Sequence, residues 1–217
     1  RSYNWDMIMD ICKKHQPDAM IFNMGKPTIR WCGNERGFAT YPNWNIVPAL
    51  KSAEFNPKNP AINGEGDIWL PQECDVPIHC GRWFHHKGIG AIDYRLRLFS
   101  VNQLVEIYEK SIGLGANLLL NLAPNEKGLL SDLNVKRLNE FMGKINSMYS
   151  DPIATTAGSG SELTLFLPLE QKVDAIELKE EISKGQRVKS YELYANIKGT
   201  WRPIISTEKT LTIGHRK

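Results

Sequence analysis

Near the start of the chain, apolar residues recur with helical spacing. Asn4 is a suitable N-cap, and Trp5, Ile8, Met9 and Cys12 follow at i, i+3, i+4 and i+7, which predicts one buried helical face ended by Pro17. The run Ala19-Met20-Ile21-Phe22, bounded by Pro17 and Gly25, is short and wholly apolar, the pattern of a strand buried on both faces. The polar stretch Met24–Phe38 is then the loop leaving the carboxyl end of that strand. From Tyr41 to Asp67, Asn, Pro and Gly dominate without a sustained period, an irregular connection of the kind that folds keep for binding. Ile68–Ile78 reads as a second strand interrupted by Pro71 and Pro77. Ser100 and Gln103 form a capping box, and Val101, Leu104, Val105, Tyr108 and Ile112 make a helical stripe that ends at Gly113 and Gly115. Ala116–Leu122 is a third buried strand. After the turn Pro124–Gly128 comes a helix with Leu138, Phe141, Met142 and Ile145 facing inward.

Helices alternating with short apolar strands, each followed by a polar loop, predict an α/β class with parallel strands, such as a (β/α) barrel. A full barrel takes about 250 residues, so residues 1–150 correspond to only about half of one. Composition changes at Asp151–Ser161, where Pro152, Thr155, Thr156, Gly158, Ser159 and Gly160 make a linker. Beyond it the helical period disappears. Leu163–Leu167, Val173–Leu178, Val188–Ala195 and Thr210–Ile213 are β-prone and separated by turn residues such as Lys184-Gly185 and Lys198-Gly199, so residues 162–217 are expected to be a β-sandwich module, incomplete at this length.

Composition adds exclusions. The 217 residues are 41% hydrophobic and 24% charged, ordinary for a globular protein, and the net charge of +3 is spread without blocks, too weak a bias to argue for nucleic acid or an anionic membrane. No stretch reaches the roughly 18 apolar residues of a membrane span. The four cysteines, Cys12, Cys32, Cys74 and Cys80, contain no C-x-x-C and are read as free thiols. Together with His79, His85 and His86 they match no zinc spacing, so no metal is expected.

The densest chemistry is Arg30-Trp31-Cys32-Gly33-Asn34-Glu35-Arg36-Gly37. Glu35 combines a proton-transfer group with neighbours able to tune it; a loop glutamate paired with one of the arginines is the competing explanation. A second cluster, Trp69 to Asp75 followed by Gly81-Arg82-Trp83-Phe84-His85-His86, sets Glu73 and Asp75 on one face of a strand. Carboxylates flanked by indoles suit a sugar, whose C–H face stacks on the ring while its hydroxyls need polar partners. Four of the six tryptophans lie between Trp31 and Trp83, although any single one is more readily a core or interface residue.

These strings, taken in order, resemble the α-L-fucosidases of glycoside hydrolase family 29. The matching segments are Gln16-Pro17-Asp18-Ala19, Ile29 to Gly37, Trp69-x-Pro71-x-Glu73-x-Asp75-Val76, Gly81-x-Trp83-Phe84-x-His86, and Ala116-Asn117-Leu118-Leu119-Leu120-Asn121-x-x-Pro124. Gly185-Gln186-Arg187-Val188 and Thr212-Ile213-Gly214-His215 resemble the module that follows the barrel in this family. The resemblance implies the C-terminal half of a (β/α)8-like barrel followed by a jelly-roll or galactose-binding-like β-sandwich. It implies a retaining exo-glycosidase that needs no cofactor, with Glu35 as general acid/base and Arg30, Trp31, Glu73 and Trp83 as substrate-binding residues. The Arg-Trp-x-Gly-Asn-Glu form resembles the branch acting on α-1,3 and α-1,4 fucosyl linkages of oligosaccharides, and the family suggests a secreted, periplasmic or lysosomal setting.

Two departures stand out. The nucleophilic Asp of the family sits in a Trp-x-Asp-Gly motif ahead of the first helix, and this sequence contains no such motif, so the chain is expected to be a fragment, inactive alone. His79-Cys80 stand where the family commonly has Arg-Pro, and Arg82 is substituted within the next motif. The alternatives are a non-catalytic carbohydrate-binding protein lacking the nucleophile, and an inverting hydrolase pairing Glu35 with Asp75.

Overall fold

The computed structural model describes residues 3–48, 66, 68–87, 90–205 and 212–213. The first helix forms as Trp5–His15 (α1), and the Asn4 side chain accepts a hydrogen bond from the backbone N–H of Met7 at 3.1 Å. Its stripe is half-buried rather than buried: Trp5, Ile8, Met9 and Cys12 are its only positions that are not fully exposed.

The strand expected at Ala19–Phe22 does not form. The carbonyl of Ile21 accepts from the backbone N–H groups of Thr28 at 2.9 Å and Ile29 at 3.3 Å, and Phe22 makes one isolated bridge to Ile29. Local turns satisfy this backbone, and the strand begins later, at Arg30–Trp31 (β1), inside the stretch expected to be loop. Ile46–Val47 (β2) pairs antiparallel with Ile68–Trp69 (β3). Pro71 ends that hairpin as expected, whereas Pro77 is the last residue of the next strand, Gln72–Pro77 (β4), rather than an interruption. Asn117–Asn121 (β5) completes a parallel sheet in the order β1-β4-β5.

Between β4 and β5 lie the helices Gly90–Leu96 (α2) and Val101–Lys110 (α3); after β5 comes Asp132–Tyr149 (α4). Both hydrogen bonds of the Ser100–Gln103 capping box are present. The sheet has two unlike faces. Val76, Leu118 and Leu120 project toward the helices and join Ile78, Leu104, Val105, Ile107, Phe141 and Ile145 in the main core, where each fully buried side chain contributes about 1.5–3 kcal/mol. Leu138, Phe141, Ile145 and Met148 form the inward stripe of α4, and Met142, about 100° around the helix from Phe141, faces outward. The other sheet face carries Trp31, Glu73, Asp75, Asn117, Leu119 and Asn121, which follows from the in-register pairs Trp31↔Glu73, Glu73↔Asn117, Asp75↔Leu119 and Pro77↔Asn121. β5 is therefore not buried on both sides.

After α4 the runs Leu163–Leu167 and Val173–Leu178 form no strands, and Leu163, Leu165, Phe166, Val173 and Ile176 are exposed. Regular β-structure among the described residues here is one antiparallel hairpin, Leu193–Ile197 (β6) with Thr200–Ile205 (β7), turned at Lys198 and Gly199 with φ of 52° and 83°. The strand expected at Val188–Ala195 thus shortens and shifts, β7 was masked in the pattern by Pro203, and Thr210–Ile213 lies partly outside the described residues. This region docks onto the α/β part: the Gln186 side chain accepts from Asn45 N at 2.9 Å and donates to the Asn43 carbonyl at 2.9 Å, and Thr212 Oγ1 accepts from Asn43 N at 3.1 Å.

Candidate functional site

The parallel strands end at one rim. Glu35 follows β1, Trp83 follows β4, and Asn121 is the last residue of β5. In parallel α/β folds the carboxyl ends of the strands are where loops gather reacting groups.

Glu35 is exposed, and its contact is an indole rather than an arginine: Trp83 Nε1 donates to Glu35 Oε2 at 3.0 Å. Trp31 Nε1 donates to Asp75 Oδ1 at 2.5 Å. Burial pushes the Asp75 carboxyl above the ordinary aspartate range; the Trp31 N–H pulls it partly back, and the negative charge of Glu35 adds to the rise. Glu73, one pleat toward the amino end of the same face, accepts from Asn117 Nδ2 at 2.7 Å. The rim thus carries carboxyl groups held by N–H donors beside two indoles. Such a surface can hold a polyol, stack its ring and move a proton.

Of the residues expected at the site, Glu35, Trp31, Glu73 and Trp83 share this face or its rim. Arg30 does not. It projects from the opposite face with Gln72 and is 2% exposed, and its guanidinium donates to the carbonyls of Leu70 at 3.0 Å and Trp44 at 2.7 Å. Burial pushes it down to about 10, offset in part by Cys32 and Cys74. Its role here is to tie β1 to the chain around β2 and β3.

His79, one of the departures from the family pattern, is also structural. It is 1% exposed, donates from Nδ1 to the Tyr94 carbonyl at 2.6 Å, contacts the Asn134 amide through Nε2 at 2.7 Å, and stacks on the Tyr94 ring. The cysteines are free. Among the described residues, no group of three or more His, Cys, Asp and Glu side chains is arranged to hold a metal, and no helix is long and apolar enough to cross a membrane.

Sequence reasoning missed Asn117 and Asn121. Their signal was present: two amides four positions apart in a strand project from one face, and both fall in a motif already singled out. Asn121 Nδ2 donates to the Trp83 carbonyl at 2.9 Å.

No protein-family model matches the chain. It is 28% identical over 255 aligned positions to Alpha-L-fucosidase 1 of Arabidopsis thaliana, covering 99% of this chain and 48% of that protein. Its structure matches that of a protein assigned as an α-L-fucosidase from Bacteroides thetaiotaomicron with a TM-score of 0.83 and 30% identity, over 96% of this chain and 49% of that one. A GH29 fucosidase of Ruminococcus gnavus, solved in complex with fucose, shares the fold with a TM-score of 0.79 at 22% identity, over 99% of this chain and 50% of its own. The chain spans about half the length of these relatives. Over that half it is homologous to the α-L-fucosidases of glycoside hydrolase family 29 and has the mixed α/β fold of the corresponding part of their structures.

Proposed function

We propose that the chain carries the acid/base part of the active site of a retaining exo-α-L-fucosidase acting on terminal α-1,3 or α-1,4 fucosyl linkages. Glu35 donates a proton to the glycosidic oxygen while an Asp supplied by a segment outside these residues attacks the anomeric carbon. Its carboxylate then takes a proton from the water that releases fucose. Trp31, Glu73 and Trp83 bind the sugar, and Arg30 serves from behind the sheet. In this reading residues 1–150 complete a barrel with further strands, and 151–161 lead into 162–217, part of an incomplete β-sandwich bonded to the barrel part through Gln186 and Thr212.

The observation that supports this best is the Glu35 carboxyl held on the Trp83 indole at the carboxyl rim of a parallel sheet. The homologous Ruminococcus enzyme, solved with fucose, supports the sugar. In the full-length protein, Glu35→Gln should cut kcat/KM on unactivated fucosides by about 10²–10⁴-fold, while aryl fucosides with strongly acidic leaving groups lose little, because they depart without a proton. Equal losses on both would remove Glu35 from the role. The first-formed product should be the α-anomer by NMR.

A further inference from the structure

We infer that Asn121 is a positioning residue for the proton-donating step, acting on Glu35 through Trp83. The inference rests on the reading of Glu35 given above. Asn121 makes two bonds to the segment that leaves β4. Its backbone carbonyl accepts from Ile78 N at 2.9 Å, and its side-chain Nδ2 donates to the carbonyl of Trp83 at 2.9 Å. Both ends of the 78–83 segment are thereby fixed to the carboxyl end of β5. Between them the chain reverses through a turn closed by Arg82 N on the His79 carbonyl at 2.8 Å, with Gly81 at a φ of 68°.

The arrangement matters because, among the described residues, the hydrogen bond to the Glu35 carboxyl comes from Trp83. The loop backbone is packed at Cys32 and Gly37, but the Glu35 side chain itself is exposed, so its carboxyl is placed by its hydrogen bond from the Trp83 indole at 3.0 Å. Trp83 itself lies outside helix and strand, and the following Phe84 is 80% exposed. The placement of the indole therefore depends on its own backbone, which the Asn121 amide ties to a strand. A strand is a better reference than a loop for a group that must meet an oxygen within a fraction of an ångström. The residue type fits the task. A carbonyl needs a donor, and an amide supplies one without placing a charge beside the carboxyl. Asn117, on the same face, donates directly to the Glu73 carboxyl at 2.7 Å.

The test uses the full-length protein and two substrates, an aryl α-L-fucoside with a strongly acidic phenol and a fucosylated oligosaccharide. For Asn121→Ala, kcat/KM on the oligosaccharide should fall about tenfold or more, against less than about threefold on the activated fucoside, since only the former needs the acid. Asn121→Asp keeps the shape but lacks the donor unless its carboxyl is protonated, so its deficit on the oligosaccharide should narrow as pH falls, while that of Asn121→Ala should not. A purely structural role would lower both substrates alike in both variants, and that result, or no loss on either, overturns the inference. Should Asn121→Ala not fold, Asn121→Asp decides alone. Glu35→Gln is run alongside: if it discriminates between the substrates and Asn121 variants do not, only this inference falls. If Glu35→Gln fails to discriminate, the reading of Glu35 falls and takes the inference with it.

Discussion

The indole N–H of Trp83 donates to Oε2 of Glu35 at 3.0 Å and so joins the loop after β4 to the loop after β1. Trp83→Phe keeps an aromatic ring and deletes this bond. The bond orients the acid that must meet the glycosidic oxygen, so losing it should lower kcat/KM on an unactivated fucoside roughly 10- to 100-fold. The melting temperature should move little, because the residue is only half-buried. Steady-state kinetics beside a thermal melt checks this; unchanged kinetics would show that the bond does not hold the carboxyl for reaction.

Asp75 carries a prediction of opposite sense. Its carboxyl is raised above the ordinary aspartate range chiefly by burial, so the folded chain holds a proton where the unfolded chain has released it. The stability tied to the protonated form is fully present below the unfolded value of about 3.9 and is lost as pH rises through the higher folded one. At neutral pH the ionised group therefore costs stability. Asp75→Asn keeps an oxygen to accept from Trp31 and removes the charge, so it should melt at or above the parent at pH 7, with the advantage shrinking as pH falls toward 4. Turnover should stay within about tenfold of the parent; a loss of 10³ or more would instead make Asp75 a catalytic base, as an inverting enzyme requires.

What the sequence told in advance was mostly local. The Asn4 cap, the Ser100–Gln103 box, the Lys198-Gly199 turn and the shared face of Glu73 and Asp75 each depend on residues a few positions apart, and each is present. Ala19–Phe22 failed because apolarity says nothing about which carbonyls a backbone will bond, and here Ile21 turns to Thr28 and Ile29. Arg30 was assigned to the pocket by the resembling motif, in a stretch read as loop; the strand that forms there turns it to the face opposite Trp31. In a two-residue period the neighbour of a pocket residue points the other way, and composition does not reveal where the count begins. Met142 shows a fault of phase at the helical period. The amide of Asn121 was readable as a motif, but its bond to Trp83 spans 38 positions and only the fold brings the two together.

Arg30 yields a prediction that separates structure from binding. Its guanidinium is buried on the carbonyls of Leu70 and Trp44. Arg30→Ala leaves those oxygens without their donor and a cavity beside them, a loss of about 3 kcal/mol or more and a melting temperature lower by on the order of 10 °C. The KM of whatever folds should be close to that of the parent. A stable variant with KM raised tenfold would put Arg30 at the sugar after all.

Gly37, two residues beyond Glu35, sits at a φ of 75°, where a Cβ would lie 2.8 Å from both Val76 Cγ1 and Ile107 Cγ2. Both methyl groups belong to the core, so the loop bearing the carboxyl is pressed against the sheet at a point that only glycine fits. Gly81 has a similar φ of 68° but open space around its Cα. Alanine at either position meets the left-handed backbone penalty of roughly 1–2 kcal/mol; at Gly37 overpacking adds about 1–3 kcal/mol. Chemical denaturation of Gly37→Ala and Gly81→Ala therefore measures the clash as the difference between them. If the loop instead lifts to make room, the two variants will be equally stable, and Gly37→Ala will reveal the movement by losing turnover on the unactivated substrate as Glu35 is carried off its indole.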